Sequence, residues 1–397
     1  MPKKLPVPKM LGPYRFNVTT TFKLYLMPKL RYLYSVAVEL LNERRHALNP
    51  GKRNNRMKVL CLWHATGDEI KYIKDAMPRG TEVVAPEGKY FSRFEATYQE
   101  LKDNAVDADA FIGWTLPEGV PQLAGKLKIL SWLHSGVDDL GQMGVLSLAK
   151  QRGFKVTNIR GANAIAVAEQ AMMLMLALAK KTLLKHEVAR ENGVFFPLFG
   201  EEHRSAMLYG RTIGVIGVGN IGSHVARCAK GCGMHVLGVR RNNERPAEFV
   251  DSLHGMDELH SVLGKSDYIV LATPITGETF NFFGKAEIEA MKPTAFLVNI
   301  ARSKLVQEKP LYDALTSGRL RGYGADVWPY YAYGETFPAS RVPRLAIQKL
   351  PNVVCSNCQA HDADGQLERY IEWGTQNLLE FATGKPLTRE IRLDLGY

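Results

Sequence analysis

Thr212-Ile-Gly-Val-Ile-Gly217-Val-Gly219-Asn220-Ile221-Gly222 reads as a buried strand that runs into a glycine turn and then into a helix. Gly217 permits the tight turn, Gly219 keeps side chains away from an approaching diphosphate, and Gly222 lets helix and strand pack closely. Asn220 and Ile221 open the helix, whose first N–H groups and positive dipole end favour an anion. A glycine triplet alone says little. The apolar strand before it and the helical pattern after it supply the context that a dinucleotide-binding turn requires.

The following strand, His235-Val-Leu-Gly-Val-Arg240-Arg241, ends in two arginines. NAD-binding turns commonly place an acid there, roughly 20 residues after the glycines, to hold the ribose 2′-hydroxyl. A carboxylate would repel a 2′-phosphate, whereas guanidinium groups grip it with paired hydrogen bonds. The sequence therefore predicts NADP(H) as cofactor. NAD(H) is the alternative if the two arginines merely end a strand in solvent.

Working outward, the 397 residues are 46% hydrophobic and 23% charged, a globular composition long enough for two domains. The net charge of +11 suggests nucleic acid until it is located. Between Met1 and Met57 twelve Lys/Arg stand against Glu39 and Glu43, so +10 lies there and the remaining chain carries only +1. Residues 1–57 are accordingly read as a basic arm, and neither nucleic acid nor membrane is expected as a partner of the body. Within the arm, 31–46 has helical spacing with Leu33, Val36, Leu40 and Leu41 on one side. The apolar stretch Ala171–Ala179 is too short to span a bilayer. Five cysteines without an even framework fit a reducing compartment. The expectation is a cytoplasmic protein, with organelle targeting as a second use for a basic, acid-poor arm.

Two βα series follow the arm. The first has β-like runs at 58–63, 81–84, 110–112, 127–131 and 155–157, with helical patterns between them. A long apolar helix begins near Ala162 and reaches Lys181. The second series starts at Thr212, with later strands at 268–272, 295–300 and 322–327; after Tyr330 an irregular stretch leads to the β-like run 352–355 and a final helix at about 365–381. Such alternation predicts α/β architecture, with parallel sheets covered by helices.

At this point the residues resemble a family, the D-isomer-specific 2-hydroxyacid dehydrogenases, which include glyoxylate/hydroxypyruvate reductases and formate dehydrogenases. Beyond the glycine turn, the likeness rests on Ser135-Gly-Val-Asp138, Val156-Thr-Asn158, Val167-Ala-Glu169 and Met291-Lys-Pro293. It rests also on Val298-Asn-Ile-Ala-Arg302-Ser, Leu311 to Gly318, and Gly324-Ala-Asp326-Val-Trp, and covers roughly residues 58–390. The resemblance implies two doubly wound parallel-sheet domains. A Rossmann cofactor domain, 161–337, is inserted into a flavodoxin-like substrate domain made of 58–160 and 338–397. It also implies a homodimer built through the cofactor domains, and a small carboxylate substrate in the cleft.

By the same resemblance Arg302 grips the substrate's carboxylate and carbonyl oxygens, a structural ion pair being its competing role. Asp326 accepts from the nicotinamide carboxamide. Gly136 and Val137 offer N–H groups to the carboxylate, next to Ser135. Pro274 and Ala301, beside strand ends, are read as further cofactor contacts. Trp114, Leu116, His134 and Tyr331 are expected to line the pocket.

The proton-transfer pair departs from the pattern. Relatives carry a histidine at the end of Asn-Val-x-x-Thr-Pro-His, and here Asn352-Val-Val-Cys-Ser-Asn-Cys358 puts Cys358 in its place. The supporting glutamate, five residues after the aspartate, is replaced by Tyr331. Three readings stay open. His361 or His134 supplies the proton; the Cys358 thiol acts, against the alternative that it fills space; or, as with formate, only a hydride moves. Cys355-x-x-Cys358 with His361 has metal-like spacing, but Cys355 is expected to face inward and no fourth ligand is evident, so no metal is predicted. The Cys228/Cys232 pair reads as core packing. Loss of the acid also admits a different class of protein, a dinucleotide-binding regulator without turnover.

Overall fold

The computed structural model describes residues 57–88, 92–192, 200–329 and 343–395. The arm through Arg56, with its expected helix at 31–46, and Tyr331 lie outside the described residues. From Arg56 onward the chain forms one compact unit.

The first series gives strands β1 (Lys58–Cys61), β2 (Glu82–Val84), β3 (Ala110–Gly113), β4 (Ile129–Trp132) and β5 (Lys155–Thr157). Helices α1 (Gly67–Ala76), α2 (Tyr98–Ala105), α3 (Val120–Leu123), α4 (Asp138–Gln142) and α5 (Val145–Arg152) connect them. All pairings are parallel, in the order β2-β1-β3-β4-β5. Every residue of β3 and β4 is buried, as a parallel sheet covered on both faces requires. This is the flavodoxin-like order, and the sense in which strands are added reverses between β1 and β3.

The chain then crosses through Gly161 into α6 (Ala164–Lys180) and α7 (Thr182–Asn192). The long helix expected from Ala162 to Lys181 is α6; Lys181 takes a left-handed conformation (φ 52°) that ends it, and α7 follows as a separate helix. The second sheet comprises β6 (Thr212–Ile216), β7 (His235–Val239), β8 (Ser252–His254), β9 (Tyr268–Leu271), β10 (Phe296–Asn299), β11 (Gly322–Ala325) and β12 (Val353–Cys355). Helices α8 (Asn220–Gly231), α9 (Leu259–Lys265), α10 (Lys285–Ala290) and α11 (Glu308–Thr316) cover it. The order is β12-β11-β10-β9-β6-β7-β8, wholly parallel, with its switch between β6 and β9. The final helix, α12 (Gln366–Ala382), returns to the first sheet, where the Ser131 hydroxyl donates to the Gly374 carbonyl at 2.9 Å.

Three details differ from the sequence reading. Strand β8 was not foreseen, since Ser-Leu-His carries no apolar run. Strand β12 pairs with β11 in the second sheet, so the return crossing lies at 356–365 rather than at 338. Cys355 is exposed, not inward-facing. On this edge strand the burial of Val353 gives way to solvent toward the C-terminal end.

Candidate active site

At the switch point of the second sheet the three glycines do three separate things. Gly217 sits at φ +103°, and a Cβ there would lie 2.7 Å from the Ala272 and Thr273 backbone. Gly222 lies so close to the Gly217 carbonyl that a Cβ would collide with it. Gly219 has nothing within 4 Å, so the space above the first turn of α8 is open. A diphosphate fits this cradle. Asn220 and Ile221 follow at the helix start, and the Asn220 side chain turns toward Gly161 at the domain crossing.

Arg240 and Arg241 leave β7 next to this turn, whose Gly217 N–H donates to the Val239 carbonyl at 2.8 Å. Arg240 folds onto the carbonyls of Asn242 and Arg245. Arg241 pairs with Glu278 at 2.6 Å, both side chains being more than half exposed. An exposed pair of this kind contributes about 1 kcal/mol or less, too little to withhold Arg241 from a dianionic phosphate. Glu278 stands on a turn after Pro274, whose carbonyl accepts from Thr279 Oγ1 at 2.7 Å.

Arg302 leaves the C-terminal end of β10 through a turn fixed by Asn299. That fully buried amide accepts from the Ala301 N–H at 3.1 Å and donates to the Arg302 carbonyl at 2.8 Å. The guanidinium crosses to the first domain and lies directly on Gly136, where a Cβ would overlap Nη2. It meets Asp138 through Nε (3.0 and 3.2 Å) and Nη2 (2.9 Å) while remaining 34% exposed. The ion pair set against a substrate role above is thus real. It also places the guanidinium beside the Gly136 and Val137 amides. Asn158 and Asn163 brace this loop through the Ser135 carbonyl (2.7 Å) and hydroxyl (2.8 Å).

Charge is divided sharply here. Burial works to raise the Asp138 carboxyl, but the charge and hydrogen bonds of Arg302 outweigh it and hold the group below the usual range. For Asp139, burial and then the Asp138 charge push the carboxyl up to about 7. Burial pushes the His134 imidazole down to about 4. Its Nε2 lies 2.9 Å from the Trp114 carbonyl, which can only accept, so the neutral ring carries its proton on Nε2.

Trp114 and Leu116, expected along the pocket, are 5% and 1% exposed. The Trp114 ring packs edge-on against Trp63 (5.1 Å) and Phe94 (5.3 Å), because burying so large a ring in the domain core outweighs leaving it at a cleft. Its carbonyl is what serves the site.

Asp326, at the end of β11, is 4% exposed and accepts from Ser356 Oγ (2.6 Å), Gln359 N (3.3 Å) and Ala360 N (3.1 Å). It holds the return crossing instead of standing open. Gln170 of α6 donates to Ser356 Oγ at 2.8 Å, and Trp328 Nε1 to the Ser356 carbonyl at 2.7 Å. Cys358 adopts φ 55° within this loop and packs against the apolar cluster of the second sheet. Among the described residues no three His, Cys, Asp or Glu gather as a metal-binding group, so Cys355, Cys358 and His361 do not form the cluster that their spacing allowed. Ser356, Asn299, Gln170 and Asp138 were not singled out from sequence. Ser356 was legible as the hydroxyl at the threonine position of the relatives' motif.

Residues 172–357 match the family model of the D-isomer specific 2-hydroxyacid dehydrogenase NAD binding domain. A glyoxylate reductase of Korarchaeum cryptofilum is 31% identical over 323 residues, 80% of this chain and 87% of its own. The chain belongs to the D-isomer-specific 2-hydroxyacid dehydrogenases. Another relative in this family, a glyoxylate reductase of Thermococcus gammatolerans, is 35% identical over 272 residues, 66% of this chain and 75% of that one. Among solved structures, the TT0316 protein from Thermus thermophilus is 28% identical with a TM-score of 0.66, covering 84% of this chain and all of that one. The chain is therefore an oxidoreductase of the D-2-hydroxyacid dehydrogenase type with a dinucleotide-binding domain.

Proposed function

We propose that the protein is an NADP(H)-dependent oxidoreductase interconverting small 2-oxo and 2-hydroxy acids. The observation that carries the reading is the Arg302 guanidinium, at the C-terminal end of β10 of the dinucleotide-binding sheet, lying on Gly136 of the first domain. A substrate carboxylate entering there meets the planar fork of Arg302 and the backbone amides of Gly136 and Val137. The same positive charge favours the carbonyl oxygen as it gains electron density. A bound nicotinamide dinucleotide would supply the hydride, with Arg240 and Arg241 beside its 2′-phosphate. Glyoxylate reductases among its relatives point to short 2-oxo acids as the first substrates to try.

A homodimer fits the surface. Ile165, Met173 and Leu176 on α6, continued by Leu183 and Leu184 on α7, are each at least 40% exposed, an apolar stripe of the kind that partners cover. Among the described residues no helix is long and apolar enough to cross a membrane.

The test is NADPH and NADH oxidation with glyoxylate, hydroxypyruvate and longer 2-oxo acids. Turnover favouring NADPH supports the reading. Tight NADPH binding with no turnover on any acid would instead favour a regulatory dinucleotide-binding protein, the reading that the missing histidine and glutamate keep alive.

A further inference from the structure

We infer that Glu278 sets how strongly the protein distinguishes NADP(H) from NAD(H), by competing with the ribose 2′-phosphate for Arg241. The inference rests on the cofactor reading above and deepens it. It adds a specificity-determining carboxylate, on the loop after β9, to the arginines at the end of β7.

Both loops lie against the glycine turn. On one side the Gly217 N–H donates at 2.8 Å to the carbonyl of Val239, the last residue of β7, and Arg240 and Arg241 follow directly. On the other side the Ala272 and Thr273 backbone comes so near that a Cβ on Gly217 would lie 2.7 Å from it, and the chain then runs through Pro274 to Glu278. The contact of Arg241 Nη2 with Glu278 Oε2, at 2.6 Å, therefore joins the two flanks of the turn. In a sheet of this type the ribose 2′ position falls at the end of the second strand, beside the turn. The bridge thus stands where a 2′ substituent must be received.

Each loop holds its half of the pair. Arg240 turns its guanidinium back onto the carbonyls of Asn242 and Arg245, bracing its own loop while Arg241 reaches across. Glu278 sits within a turn stitched by two threonines. The Thr276 N–H donates to Thr279 Oγ1 at 2.7 Å, and that hydroxyl donates to the Pro274 carbonyl at 2.7 Å. Beyond it the Phe280 N–H donates to the Thr276 carbonyl at 2.9 Å and the Asn281 N–H to the Lys304 carbonyl at 2.7 Å. The carboxylate is presented by a hydrogen-bonded turn.

Charge then decides between the cofactors. A 2′-phosphate reaches the Arg241 fork only by displacing Glu278, and the displaced carboxylate is left beside a second anion. A 2′-hydroxyl is neutral, leaves the bridge in place and finds in Glu278 an acceptor. NAD-binding chains take that acceptor from an acid at the end of the second strand, where Arg240 stands here. Glu278 returns a carboxylate to the same neighbourhood from a different loop. Its side chain is 75% exposed and that of Arg241 52%, so its opposition to the phosphate is modest and screened by salt.

The experiment needs no turnover. Binding of 2′,5′-ADP and 5′-AMP, the adenosine halves of the two cofactors, is followed by calorimetry in wild type, Glu278→Gln, Arg241→Ala and the double variant. Glu278→Gln should tighten 2′,5′-ADP about three- to fivefold without tightening 5′-AMP, and the gain should shrink as salt is raised. In the Arg241→Ala background the same substitution should gain less than about twofold. Dissociation constants of NADPH and NADH should follow the same pattern. An affinity for 2′,5′-ADP unmoved by Glu278→Gln, a gain equal for both ligands, or a gain undiminished without Arg241 would overturn the inference, and a wild type that prefers 2′,5′-ADP would leave the NADP(H) reading standing. If wild type binds both ligands alike while Glu278→Gln prefers 2′,5′-ADP, that reading fails and the inference survives. If neither protein tells the two ligands apart, both fail.

Discussion

Asp138 and Asp139 are neighbours in sequence with opposite fates, and the difference is one guanidinium. Arg302 holds Asp138 ionised; Asp139 is left with burial and an adjacent negative charge, which push its carboxyl up to about 7. The folded state thus keeps the Asp139 proton in a range where the unfolded chain, with a pKa near the usual carboxylate value of about 3.9, has released it. Stability is therefore lost as pH rises from about 4 to about 7, and the penalty stays constant above that window. Asp139→Asn keeps the acceptor for the Leu140 N–H, which lies 2.8 Å from Oδ1, and removes the titration. We expect its melting temperature to exceed wild type by a few degrees at pH 8, with the gain vanishing near pH 4. A constant difference across that range, read by scanning calorimetry, would contradict the assignment. None of this was legible in Ser-Gly-Val-Asp-Asp, because Asp139 is raised by burial and Asp138 is held ionised by a partner 164 residues away in the chain. Arg302 was legible, since its motif is local.

At the scale of an element, the strand–turn–helix of β6 and α8 followed directly from its sequence because Gly217 and Gly222 answer contacts within ten residues or at the end of the adjacent strand, and Gly219 leaves space open. That makes a paired prediction. Gly219→Ala adds a methyl where nothing lies within 4 Å, so folding should be untouched while NADPH affinity falls about tenfold or more from the lost diphosphate approach. Gly217→Ala forces a Cβ onto the Ala272 and Thr273 backbone at φ +103°. It should destabilise the protein by about 1–3 kcal/mol, seen as a lower denaturation midpoint. Equal stability losses in both would refute the division of roles. The elements that escaped the sequence reading are those defined by distant partners. β8 is a strand only because Leu237, Gly238 and Val239 pair with it, and the placement of β12 depends on Tyr323, Gly324 and Ala325 of β11.

For the whole molecule, the two sheets explain why the site falls where it does. Both switch points open at the carboxyl ends of their strands, and two crossings, near Gly161 and at 356–365, join them. The second crossing carries Cys358 and His361, which therefore lie on the link between domains rather than inside either one. The motifs assigned each sheet correctly, but the return point was misplaced, since a short edge strand such as Val353–Cys355 looks alike in either domain. The exposed stripe on α6 and α7 predicts association at this scale. Met173→Glu with Leu176→Glu should convert a dimer into monomer by light scattering at micromolar concentration. A dimer unchanged by both charges would remove this face from the interface.

The most direct test of the account compares kcat/KM for NADPH-dependent reduction of glyoxylate and hydroxypyruvate in wild type and Arg302→Ala. The account predicts turnover in the wild type and a loss of about 10²-fold or more in the variant, with NADPH affinity unchanged. Equal kcat/KM in the two proteins would contradict it.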